Sequence, residues 1–86
     1  MSWSVELEPA ARRSLNRLPG KIREAVLAFI DGPLTENPHR VGKPLGRELT
    51  GLHTARRGSY RVVYRIVEER VLVQVVKVGP RSDVYR

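Results

Sequence analysis

The chain has 86 residues, a net charge of +7 from 16 Lys and Arg against 9 Asp and Glu, and no cysteine. That length accommodates one domain, residues 1–86, burying about 60% of the surface its unfolded chain exposes, and leaves no space for a second. Disulfides and thiolate metal sites are excluded, His39 and His53 are too far apart to read as a ligand motif, and no run approaches the ~20 apolar residues of a membrane span. With no apolar run of signal-peptide length either, the expectation is a cytoplasmic protein with no metal and no membrane partner.

Ser2 to Leu7 places Trp3, Val5 and Leu7 on one face, the period of a short half-buried strand. Pro9 suits the first turn of a helix, where its missing N–H is an orphan anyway, and Ala11, Leu15 and Leu18 follow at helical spacing until Pro19-Gly20. A second helix begins near Lys21, carries the apolar stripe Ile22, Val26, Phe29 and Ile30, and frays or closes at Gly32-Pro33, making an αα-hairpin. Glu36 to Gly46 has prolines, glycines and no period, and reads as a loop.

Three strands follow, at about Glu48–Arg57, Tyr60–Val67 and Arg70–Val78. A two-residue Glu68-Glu69 connection between the last two places Tyr64 beside Val73, Val62 beside Val75 and Ile66 beside Val71, an apolar face for the helices to cover. The other face is mixed, with Arg61, Val63, Arg65, Leu72, Gln74 and Val76. A slip by one residue would scatter the apolar set over both faces, so the pattern opposes it. The fold class is α+β, a small antiparallel sheet packed against an N-terminal helical hairpin.

The charge is not spread evenly. Residues 39 to 86 hold eleven Lys and Arg against four Asp and Glu, whereas residues 1 to 38 hold five of each. A basic excess confined to one region favours a polyanionic partner such as nucleic acid. Gly58-Ser59 suits a type II′ turn, which sets Arg56 opposite Arg61; like charges across a ladder are destabilising, so the pair points to an anion between them. The competing reading is two splayed, solvated arginines. Gly79-Pro80 ends the last strand beside the same turn, Arg81 points toward the patch, and Tyr85 offers an aromatic face on which a base stacks for ~1–3 kcal/mol, unless it docks on the sheet edge instead. His53 shares the face of Ala55 and Tyr64, away from Arg56 and Arg61. Asp83 reads as a partner of Arg81 or Arg86, or as solvated, and His39 has no partner in the loop.

The chain contains R-x-G-x-Y-R-V-x-Y from Arg56 to Tyr64 and G-x-R-S-x-V-Y from Gly79 to Tyr85, with Leu49, Gly51 and Leu52 as Leu-x-Gly-Leu and PAARRSLNRLP in the first helix. With the order strand, helical hairpin and sheet, these motifs resemble the RelE-type toxins of the RelE/ParE toxin–antitoxin superfamily over essentially the whole chain. The resemblance implies a metal-independent endoribonuclease without cofactor that cleaves mRNA in the ribosomal A site by attack of the RNA's own 2′-OH, and a cognate RelB-like antitoxin. It implies that Arg61 and Arg81 hold the phosphate, that Arg56 assists, and that Tyr85 orients the nucleotide. Arg57, Arg65, Lys77 and Arg86 are the further candidates for RNA contact.

Two departures from the family pattern bear on mechanism. Where members carry lysines on the strand before the Gly58-Ser59 turn, this chain has Leu52 and Thr54, and where others carry a histidine before the final arginine it has Pro80. Neither substitute is a proton-transfer group, so slow or absent cleavage of free RNA is expected, with the ribosome supplying substrate geometry. The other readings are a ParE-like gyrase poison, a non-catalytic nucleic-acid-binding module, and a toxin that has lost its chemistry. The neutral first half, with its helical hairpin and short first strand, offers a groove for an acidic antitoxin segment, by helix-in-groove packing or strand addition; Trp3 either belongs to that surface or, the favoured reading, is ordinary core.

Overall fold

The structure, a computed structural model, describes residues 3–46 and 51–80. In chain order it contains β1 (Ser4–Leu7), α1 (Pro9–Asn16), α2 (Gly20–Phe29), a π-helical turn (Ile30–Leu34), α3 (Pro38–Val41), β2 (Lys43–Pro44), β3 (Leu52–Arg57), β4 (Tyr60–Val67), a 3-10 turn (Glu68–Arg70) and β5 (Leu72–Pro80). The strands form one sheet in the order β1-β5-β4-β3-β2, antiparallel except that β1 runs parallel to β5. The return from β1 to β5 spans the helices, which therefore cover one face of the sheet and leave the other open.

Pro9 occupies the first turn of α1, and the buried Ala11 and Leu15 lie against β5. Pro19, in extended conformation, caps the start of α2. Gly32-Pro33 does not close that helix. Proline lacks the N–H that would continue the ladder, and the helix widens into a single π turn that keeps Ile30 and Leu34 in the core. The turn ends at Thr35, whose hydroxyl donates to the Asp31 carbonyl at 3.0 Å and whose own carbonyl accepts from the Trp3 amide at 2.7 Å, joining β1 to the end of the helical layer. The core between helices and sheet centres on Val26, Phe29, Ile30 and Leu34 above and Val62, Tyr64, Val73, Val75 and Val78 below, with Trp3 packed at its margin.

The register of β4 against β5 corrects the sequence expectation. Glu68–Arg70 forms a 3-10 turn, and Val71 adopts the left-handed region at φ 48°, so the connection has four residues and not two. Tyr64 pairs with Val75 and Ile66 with Val73, two residues beyond the expected partners, and Val71 is 47% exposed in the turn, not paired with Ile66. Glu-Glu suits neither position of a tight two-residue hairpin, and the longer connection avoids placing it there. A shift of two preserves the side-chain faces. Further along, Val63 pairs with Lys77 but Tyr64 with Val75, so Val76 is an extra residue, a β-bulge, and Val62 faces Val78 in place of Val75.

Residues 36–46 also depart from the expected loop. Asn37 caps α3 by accepting from the Arg40 amide at 3.3 Å, Pro38 fills the first helical position, and Lys43 and Pro44 pair with Thr54 and His53 as the edge strand β2. The segment is fastened from beneath. The fully buried Tyr64 donates its hydroxyl to the Pro38 carbonyl at 2.6 Å, and burial pushes that phenol up to about 12. Gly42 lies directly over it in extended backbone; a Cβ there would collide with the Tyr64 hydroxyl and sit 2.7 Å from the Thr54 carbonyl. Tyr64→Phe leaves the Pro38 carbonyl without its donor and is expected to lower unfolding free energy by about 1–3 kcal/mol in urea titration, the cost of a buried unsatisfied acceptor. A loss below a few tenths of a kcal/mol would show that the bond does not hold the segment.

Candidate functional site

The open face is organised in rows, because directly paired residues of adjacent strands project to the same side. One row runs Lys43, Thr54, Val63, Lys77 from β2 to β5; the next contains Arg56, Arg61 and Gly79; the row on the other side contains Leu52, Arg65, Gln74 and Glu6. Gly58, at φ 61°, makes the two-residue turn with Ser59 that fixes Arg56 opposite Arg61, the arrangement read from the sequence. Arg56 donates from Nε to the Gly58 carbonyl at 3.3 Å, which steadies its stem. Beside this pair is an open cleft of about 550 Å³ lined by Val41, Gly42, Lys43, Thr54, Ala55, Arg56 and Arg61. Among the described residues no carboxylate forms an ion pair with Lys43, Arg56 or Arg61. A cleft whose cations are not internally neutralised attracts anions, and paired guanidinium groups match the oxygens of a phosphate.

The other predicted positions separate. Lys77 reaches the open face only through the bulge at Val76; strict alternation from the buried Val75 would have turned it under the helices. Arg65 is on the same face but is drawn toward β1, with Nη1 3.3 Å from Gln74 Oε1 and 3.9 Å from Glu8 Oε1. Arg57 does not join the cluster. As the neighbour of Arg56 it projects to the helix side, where its guanidinium lies 5.0 Å from the centre of the Phe29 ring. Arg81, Tyr85 and Arg86, with Leu49, Asp83 and Val84, lie outside the described residues. Lys43 is the cleft residue that sequence reasoning missed: a two-residue strand is too short to show a period, and only its pairing with Thr54 reveals its side.

His53 pairs with Tyr64 and stacks on its ring at 5.6 Å between centroids, on the face away from Arg56 and Arg61 as the sequence parity indicated. His39, expected to lie unpartnered in a loop, belongs to α3, meets His53 edge-on at 6.1 Å and Trp3 at 5.8 Å, and its Nε2 is 2.6 Å from Glu68 Oε1. The Nδ1 of His53 is buried without a hydrogen-bond partner among the described residues. Desolvation, and secondly the charge of His39, hold His53 below the ordinary histidine value.

The comparison with known proteins agrees with this architecture. Residues 5–85 match the family model of the ParE toxin of type II toxin–antitoxin systems, parDE. The chain belongs to the RelE/ParE superfamily of toxins. It is 48% identical to toxin RelG of Mycobacterium tuberculosis over 86 residues, covering all of this chain and 99% of that one, and 49% identical to toxin RelE of the same organism over 84 residues, covering 98% and 87%. Among solved structures, the M. tuberculosis toxin–antitoxin complex RelBE2 contains a chain with TM-score 0.91 and 46% identity, matched over 94% of this chain and all of that one. The isolated Escherichia coli RelE toxin gives TM-score 0.78 at 25% identity, with 98% of this chain and 92% of that one covered.

The histidine environment makes this superfamily member's stability depend on pH. With His53 neutral in the fold and facing His39, Tyr64 and, through His39, Glu68, the unfolded chain binds more protons once pH falls below about 6.5, so this contribution to stability declines as pH drops and is flat above. Melting temperature is expected to fall from pH 7 to pH 5, and His53→Phe, which keeps the stack on Tyr64, is expected to flatten that slope. An unchanged slope in the variant would place the titration elsewhere.

Proposed function

We propose that this chain is a type II toxin that cleaves mRNA in the ribosomal A site, with the open face of the sheet against the RNA backbone. The observation that carries the reading is the Arg56–Arg61 pair, two guanidinium groups held across a ladder beside a cleft and joined by no carboxylate among the described residues. Like charges so placed cost stability, and a phosphate between them offsets that cost. The 48–49% identity to the toxins RelG and RelE supports the nuclease branch over the gyrase-poison branch, which the ParE name of the matching family keeps in view.

In the proposed reaction the substrate's 2′-oxygen attacks the adjacent phosphorus and the P–O5′ bond breaks. The proton of the 2′-OH leaves, another is taken up by the departing O5′, and the products are a 2′,3′-cyclic phosphate and a 5′-hydroxyl. Arginine neither accepts nor releases a proton near neutral pH, so Arg56 and Arg61 act by position and charge, gripping the non-bridging oxygens and offsetting the charge that builds on phosphorus. Arg81 is assigned a further phosphate contact beside Arg61, and Tyr85 the stacking of the nucleotide, as the family pattern implies. His53 is on the wrong face to serve as the base. The ribosome supplies the substrate conformation, and naked RNA is cut slowly or not at all.

The reading includes a cognate antitoxin. Solved relatives occur in toxin–antitoxin complexes, and the net charge of +7 favours an acidic partner. Expression from a tight promoter is expected to arrest growth and to produce new mRNA 5′ ends inside translated codons, mapped by primer extension. Arg56→Ala with Arg61→Ala is expected to reduce their formation by ~10²-fold or more, from the loss of oriented cations at the developing charge. Arrest without new ends, together with inhibited supercoiling by gyrase in vitro, would replace this reading with the gyrase one.

A further inference from the structure

We infer that Lys43, on the edge strand β2, is a catalytic residue of the open face, placing its ammonium on the scissile phosphate beside Arg56 and Arg61, the other cations that line the cleft among the described residues. The inference rests on the nuclease reading above. Strand β3 presents Leu52, Thr54 and Arg56 to this face, so Arg56 is the sole charge it contributes there. Arg65 is engaged with Gln74 and Glu8, and Lys77 is two strands away from Thr54 across the buried Val63. Lys43 is the direct cross-strand partner of Thr54 and lines the same cleft as Arg56 and Arg61. Partners so placed have Cβ atoms ~5 Å apart, and Arg56 is two residues along β3 from Thr54, ~7 Å, so the four-carbon lysine stem spans the remaining distance to an oxygen shared with the arginines.

The placement is built into the fold. Pro38 is held by the Tyr64 hydroxyl, Gly42 gives that hydroxyl its space, Lys43 and Pro44 pair with Thr54 and His53, and the Leu45 amide donates to the Leu52 carbonyl at 2.8 Å. Pro44 needs no donor on the outer edge of a sheet, so it is tolerated between the two pairings that fasten β2 to β3. Lys43 itself is exposed. A short strand anchored on the core side and carrying one exposed lysine, over a cleft whose cations pair with no carboxylate among the described residues, supplies charge from β2 where β3 has an uncharged threonine. The arginines grip planar pairs of oxygens, whereas an ammonium acts as a compact point charge, suited to the oxygen on which charge grows most as the phosphorane forms.

The test uses the purified chain, ribosomes carrying a defined A-site codon, and single-turnover cleavage at saturating toxin. Lys43→Gln, which keeps much of the stem, is expected to lower the rate constant ~10²-fold while changing half-saturation less than about fivefold, because the lost contact forms with the transition-state charge. Lys43→Arg is expected to stay within about tenfold of wild type. Lys43→Gln combined with Thr54→Lys returns an ammonium to the cleft from the neighbouring strand and is expected to recover at least tenfold of the loss; a merely structural role for Lys43 would not be rescued this way. Lys43→Gln cleaving at the wild-type rate, or losing only half-saturation, would overturn the inference and leave the nuclease reading standing. Failure of the double variant to recover, with a melting temperature equal to that of Lys43→Gln, would also overturn it. Absence of cleavage by the wild type would overturn the nuclease reading and this inference together.

Discussion

The alternation of β4, the central strand, is the constraint from which both halves of the molecule follow. Its even-numbered residues Val62, Tyr64 and Ile66 meet the helices, and its odd-numbered residues Arg61, Val63 and Arg65 form the middle of the open face. A slip by one residue would drive two arginines under the helices, where an unpaired charge is far too costly, and bring Tyr64 out. The core therefore fixes which side the basic residues occupy, and the Gly58-Ser59 turn fixes how Arg56 meets Arg61. Basic residues and core residues share one strand without sharing a face.

Strands on either side of β4 adapt to it by local departures from regularity. In β5 the extra residue Val76 lets Val75 and Val78 both reach the core while Lys77 turns to the open face, so one bulge satisfies hydrophobic burial and charge placement together. On the other side, Tyr64 reaches past β3 to fasten Pro38, and Gly42 makes room for it, which sets β2 at the rim of the cleft. A tyrosine counted as core by its pattern is thus also the post that supports one wall of the site. The stacked His53 and the neighbouring His39 and Trp3 close the same corner from the helix side, so acid that charges His53 acts on the support of the cleft and not on its cations.

Much of this was legible in the sequence, for identifiable reasons. Trp3, Val5 and Leu7, the Ala11–Leu15 and Val26–Phe29–Ile30 stripes, and the valines of β4 carry periods strong enough to assign elements and faces, and Gly58-Ser59 carries a turn preference strong enough to fix the Arg56–Arg61 register. What escaped were features without a period. A four-residue connection ending in a left-handed valine breaks a turn preference, a bulge breaks alternation, and a two-residue strand has none to show. Arg57, a candidate for RNA contact by its charge, faces the helices because adjacent residues of a strand face opposite ways. The parallel pairing of β1 with β5 joins residues some seventy positions apart, information that local pattern does not contain.

The central claim is that RNA meets the open face of the sheet and not the helical layer. Cryo-electron microscopy of the wild-type chain bound to a ribosome whose mRNA carries a 2′-deoxynucleotide at the A-site cleavage position tests it most directly, since removing the nucleophile holds the complex before reaction. The account predicts the scissile phosphate over the cleft, with Arg56 and Arg61 within hydrogen-bonding distance, ~3 Å, of its non-bridging oxygens. An mRNA backbone lying on α1 or α2, with the cleft facing solvent, would contradict it.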